Sequence, residues 1–214
     1  VHNVALGAYA GSGNSFSGGY NIMIGNEAGK AMTTGQNNVW IGREAGKVSE
    51  ASSYNVVVGY QAALNGDTSH GLNTIMGYRA GYNMPTAAQT TLIGYNAGYN
   101  ISSTAANGSV FVGASAGNNI TTGAYNTAIG TNALSTATEL DKNTAVGYDA
   151  LKVASGSAGT GENTAVGYLA GVAITTGTQN TLMGSSAGDA LTTGTSNVII
   201  GKDAATAATQ VSYS

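Results

Sequence analysis

The sequence predicts an all-β fold: a parallel β-solenoid or β-roll of about twelve 17-residue coils, assembled as an intertwined or side-by-side homotrimer. Three observations lead there. One glycine recurs twelve times, at Gly7, Gly25, Gly42, Gly59, Gly77, Gly94, Gly113, Gly130, Gly147, Gly167, Gly184 and Gly201, with seven of the eleven spacings equal to 17. An alanine stands three residues after every one of them, among them Ala28, Ala45, Ala133, Ala150 and Ala187. A short β-branched or apolar run, opened by Asn in ten of twelve units, precedes each glycine.

Counting the glycine as position 0, position −1 is always a sizeable aliphatic, from Leu6 to Ile200, and position −3 is always Val, Ile or Thr. Position −2 is also apolar, from Ala5 and Ala128 up to Trp40 and Phe111. Such a run reads as a short strand. Alternation puts −3 and −1 on one face and −2 on the other. Both faces are apolar, and one thin coil covers only one of them, so the expectation is that a sister chain covers the second. In this reading −3, −1 and +3 form the interior, and −2 packs against sister chains or a second strand.

Glycine at 0 suits a corner that excludes a Cβ. Alanine at +3 suits a tight interior seat. Position +4 is Gly in eight units and Ala63, Leu134, Leu151 or Ala205 in the others. A further apolar residue near +7 (Met32, Met84, Ile101, Ile120, Ile174, Leu191) predicts a second short strand, followed in four units by a Thr-Thr-Gly turn. Charges fall at +1, +2 and +5, as in Arg43, Glu27, Glu44 and Lys47, and never from −4 to 0 or at +3 and +4. An unpaired buried charge is costly, so the charged columns are outside, and Glu27→Lys is expected to be nearly silent. Repeated Gly with β-branched runs argues against a helical repeat. The twelve units occupy residues 1–205 as one domain, with 206–214 a C-terminal transition segment. Insertions mark outer loops at Ser12–Gly19, Asn65–Gly71, Ser102–Gly108 and Ala154–Asn163.

Charged residues are only 8% of the chain, against roughly 25% in an ordinary soluble domain. The net charge of −3 and the lack of a basic block argue against nucleic acid. No apolar run approaches the roughly 20 residues of a membrane helix, so no membrane insertion is expected. No signal peptide stands at Val1, which is read as a start after processing or within a longer chain. Cysteine is absent, which excludes disulfides and thiolate metal sites.

Motifs for chemistry are sparse. His2 and His70 lie outside the repeat columns, and the ten acidic residues are dispersed. Gly25–Ala31 and Gly42–Val48 only superficially suggest a phosphate loop and lack its spacing. No catalytic residue, cofactor or metal is expected. Tyrosine is the suggestive set. Tyr60, Tyr78, Tyr95, Tyr148 and Tyr168 all occupy +1 and are the candidate receptor contacts; Tyr82 and Tyr99 occupy +5. Stacked tyrosines can hold sugar rings, or simply stiffen the coil. Threonine rows raise ice binding, but Val and Ile break the −3 row.

The runs NTAIGTNAL, NTAVGYDAL and NVWIGREAGK resemble the repeats of phage tail-fibre proteins. They are also similar to the head repeats of trimeric autotransporter adhesins, whose unit is shorter, which favours the tail-fibre likeness. The resemblance covers Asn3 to about Ala205. It implies a homotrimer of parallel β-solenoid subunits, virion-borne or at the cell surface, that contributes to host attachment through a surface glycan or protein receptor. It further implies removal of a trimerising chaperone near Ser214. The expected role is therefore a structural and adhesive fibre segment. The alternatives are a bacterial surface adhesin, a structural extracellular filament subunit without a receptor, and a glycan-degrading fibre enzyme, for which a carboxylate pair is missing.

Overall fold

The computed structural model describes residues 2–13, 17–66, 71–101, 106–155, 161–207 and 209–210. His70, parts of the four insertions (14–16, 67–70, 102–105, 156–160) and most of the C-terminal segment lie outside the described residues.

Each three-residue run before the glycine is a strand: β1 Val4–Leu6, β2 Ile22–Ile24, β3 Val39–Ile41, β4 Val56–Val58, β5 Thr74–Met76, β6 Thr91–Ile93, β7 Val110–Val112, β8 Thr127–Ile129, β9 Thr144–Val146, β10 Thr164–Val166, β11 Thr181–Met183 and β12 Val198–Ile200. They form one parallel sheet in chain order. The register never slips, so every −2 residue pairs with the next −2 residue, as Trp40 does with Val57. The chain is a parallel β-solenoid of about eleven turns.

The phase of the strand is opposite to the expectation. The −2 residues are the interior: Met23, Leu92, Phe111, Ala128, Ala145, Ala165 and Leu182 are fully buried, and Trp40 is 1% exposed. The −3 and −1 residues point outward, with Ile129 at 41%, Met183 at 47% and Val56 at 40%. The cause is that +3 and +7 cover the −2 face from within the same coil. Ala28, Ala45, Ala133, Ala150 and Ala187 at +3 are all completely buried, as are Met32, Ile101, Ile120, Ile174 and Leu191 at +7. The interior seat assigned to the +3 alanines is thus correct.

No second strand forms at +7 among the described residues; one isolated bridge joins Asn83 to Asn100 at +6, and another joins Asp141 to Gly161, each six residues before the next corner glycine. The backbone is instead curled by residues with positive φ. At +2 all twelve units are left-handed, from Tyr9 (59°) and Glu27 (58°) to Asp203 (54°). Position −5 repeats this, as in Tyr20, Asn37, Leu72 and Gln179. Left-handed non-glycine residues cost about 1 kcal/mol or more each. Coil-to-coil hydrogen bonds hold them: Glu27 N–H donates to the Ala8 carbonyl (2.8 Å), and Gly29 N–H to the Ala45 carbonyl (2.9 Å).

The recurring glycine is a corner, as its spacing predicts. Its φ lies between 125° and 146° in every coil. A Cβ on Gly130 would stand 2.5 Å from the carbonyl oxygen of Gly147 in the next coil. Just before each strand, the −4 asparagines form a buried ladder. Asn143 donates its backbone N–H (2.9 Å) and side-chain amide (3.1 Å) to Asn126 Oδ1, and accepts from Asn163 N (3.1 Å) and Nδ2 (3.2 Å). Where Thr90 replaces Asn, its hydroxyl donates to Asn73 Oδ1 (2.8 Å).

Candidate binding surface

Outside the core, three arrays run along the rod. The first is the outward sheet face. Its two columns hold twelve Val, Ile or Thr side chains and twelve aliphatic ones, with no charge at any of the twenty-four positions.

The second array joins the tyrosines to a line of paired charges. A coil repeat of about 4.8 Å brings equivalent side chains into stacking reach. Tyr60, Tyr78 and Tyr95 stack with centroids 5.3 and 5.4 Å apart. Tyr148 and Tyr168 stack separately at 5.4 Å. The five candidate contacts therefore form two groups, because Ala114 and Thr131 occupy +1 in the coils between. Tyr82 and Tyr99 make a further stack at 4.9 Å. The Arg79 guanidinium lies 5.2 Å from the Tyr78 ring centroid and 5.4 Å from that of Tyr82.

The left-handed +2 column feeds this array. Lys30 Nζ (2.7 Å) and Lys47 Nζ (2.6 Å) both pair with Glu27; Lys47 also reaches Glu44 (3.1 Å). Gln61 donates to Glu44 Oε2 (2.7 Å), and Arg79 Nε donates to Gln61 Oε1 (2.8 Å). The two lysine hydrogen bonds hold the Glu27 carboxyl down at about 2. Gln61 and Lys47 lower Glu44, and the two carboxylates raise Lys47. The charges foreseen as outward solvent contacts are thus largely spent on one another, and Asp149, bonded to Lys152 and Asn132, is only 6% exposed.

The third array was not foreseen. Position +6 is Asn in four successive coils, and these amides form a second, outer ladder. Asn65 Nδ2 donates to Asn83 Oδ1 (2.7 Å), Asn83 to Asn100 (2.9 Å) and Asn100 to Asn119 (3.0 Å). They line an open groove of about 480 Å³ with Pro85, Ile101 and Thr121. The signal was legible as one residue type in one column over four units. Of the two histidines, His2 packs its ring 5.5 Å from Tyr20. Among the described residues, no three His, Asp or Glu side chains gather into a group that could hold a metal ion.

No family model matches this chain, and neither a curated protein nor a solved structure matches it.

Proposed function

We propose that the chain is a structural and adhesive fibre segment of the phage tail-fibre type, three copies of which pack through the outward sheet face to form a stiff projecting rod. The observation that carries this reading is the uncharged strip of −3 and −1 side chains. With twelve rungs it is roughly 55 Å long and about 10 Å wide. That is on the order of 550 Å², at the upper end of what monomeric proteins leave exposed. The sister chain is thus assigned to the −3 and −1 face rather than to −2. The resemblance to tail-fibre repeats supports a virion appendage; a bacterial surface adhesin is the alternative setting. Three parallel copies multiply weak contacts into avidity.

Light scattering on the 214-residue chain tests the assembly. A mass of three times 21.1 kDa is expected. Ile129→Lys with Met183→Lys is expected to give single chains with unchanged circular dichroism, because both side chains point outward. A monomeric parent protein overturns the trimer. A second reading then takes its place: Thr127, Thr144, Thr164 and Thr181 form four unbroken outward rungs on one sheet, a surface suited to ordered water. Thermal hysteresis on freezing is its measurement.

A further inference from the structure

We propose that the groove over the fourth to seventh coils binds a neutral oligosaccharide, with the Asn83 and Asn100 amides as its hydrogen-bonding edge. This rests on the adhesive reading and names its ligand class. The volume, about 480 Å³, falls in the range of small-molecule sites. Its lining is polar but uncharged: Asn65, Asn83, Asn100 and Asn119 carry the polar groups, and Pro85 supplies apolar surface. Hydroxyl groups on an otherwise apolar ring are the ligand that such a surface complements.

The amides have capacity to spare. An Asn side chain offers two N–H donors and two acceptor lone pairs. Along the ladder Asn83 and Asn100 each use one of either kind. One donor and one lone pair per coil are left, repeated at about 4.8 Å along the rod. The ladder is fixed before a ligand arrives. Asn83 N–H donates to the Tyr99 carbonyl (2.9 Å), Asn100 N–H to that of Asn118 (2.8 Å), and Ile101 N–H to that of Asn83 (2.8 Å). Such preorganisation reduces the ordering cost of binding.

Rival ligand classes fit less well. An acidic glycan or a nucleic acid needs cations in the groove, yet none lines it, and Arg79 is engaged by Gln61 and two tyrosine rings. A peptide adding as a strand needs an open sheet edge. The strands beside this groove, β4 to β7, are each paired on both sides.

The test is titration of the whole chain with neutral hexasaccharides (β-1,4-glucan, β-1,3-glucan, mannan and galactan) and one acidic heparin hexasaccharide, followed by ligand-observed NMR. At least one neutral sugar is expected to bind saturably. Asn83→Ala with Asn100→Ala is expected to weaken it about tenfold or more. Pro85→Glu, which leaves the ladder intact, is expected to weaken it as well, and Lys202→Ala, in the last coil, to leave it unchanged. Binding of none of the neutral sugars, binding of the acidic one alone, or parent-like affinity in both groove variants overturns the proposal. Sugar binding by a monomer would refute the trimer and leave the groove standing; a trimer without sugar binding would do the reverse.

Discussion

A Cβ placed on Gly117 would lie 2.5 Å from Cδ2 of Phe111, six residues earlier in the chain. The same relationship joins Gly46 to Trp40, at 2.9 Å from its ring. Where −2 shrinks to Ala128 or Ala145, position +4 is Leu134 or Leu151 and +7 is Ala137 or Ala154, all buried. In these coils interior bulk is exchanged between −2 and +4, although the exchange is not general, since Ala165 is followed by Gly171. Gly117→Leu alone overfills the coil and Phe111→Ala alone empties it, the latter by about 3–5 kcal/mol. Phe111→Ala with Gly117→Leu moves the bulk from −2 to +4, as in the coil of Ala128 and Leu134. It is expected to recover most of either loss in urea unfolding.

Leu72 carries an avoidable strain. Its φ is 65° and its side chain is 60% exposed, so the left-handed backbone is offset by little burial. Asn37 occupies the same column at 57°, and Asn tolerates this region better than Leu. Leu72→Asn is expected to stabilise the protein by about 0.5–1 kcal/mol, read as a higher thermal midpoint.

The repeat, its coil count, the glycine corner and the alanine seat were legible because each is a column with one permitted residue. The strand phase was not, because −3, −2 and −1 are all uncharged, so alternation alone left either face eligible as the interior; Thr at −3 in six units, with nothing polar at −2, was the one hint within the strand that −3 faces outward. The deciding signal lay across columns, in the size exchange between Phe111 and Gly117 or Ala128 and Leu134. The left-handed +2 column was invisible for another reason. Glu27, Arg79 and Leu169 are not residues that mark positive φ, and only the stacked coils impose it. The outer asparagine ladder could have been read from Asn65, Asn83, Asn100 and Asn119, which share one column.

The inner ladder predicts a graded series. Asn143→Ala removes the acceptor shared by the backbone N–H and amide of Asn163, and one of the two donors to the buried Asn126 Oδ1, which keeps only the backbone N–H of residue 143. A buried polar group without a partner costs about 1–3 kcal/mol. The expected loss is therefore about 2–5 kcal/mol in chemical denaturation. Asn143→Thr is expected to lose less, because the Thr90 hydroxyl already bonds Asn73 in the equivalent place.

Glu27 predicts a pH dependence and a revision. Its folded carboxyl titrates at about 2, against an ordinary value of 4.5, because Lys30 and Lys47 donate to it. A depressed carboxylate stabilises the fold above its unfolded value. That contribution falls away as pH drops from about 4.5 towards 2. Lys47, raised above its ordinary 10.5 by Glu27 and Glu44, contributes below that value, and its share is lost as pH climbs through the raised one. Glu27→Gln is expected to flatten the acid limb of the thermal midpoint against pH while leaving the part due to Glu44. Glu27→Lys, expected from the sequence to be silent, instead sets an ammonium against two others across contacts of 2.7 and 2.6 Å. It is expected to lower the midpoint at pH 7 below that of Glu27→Gln, and added salt is expected to narrow the gap by screening.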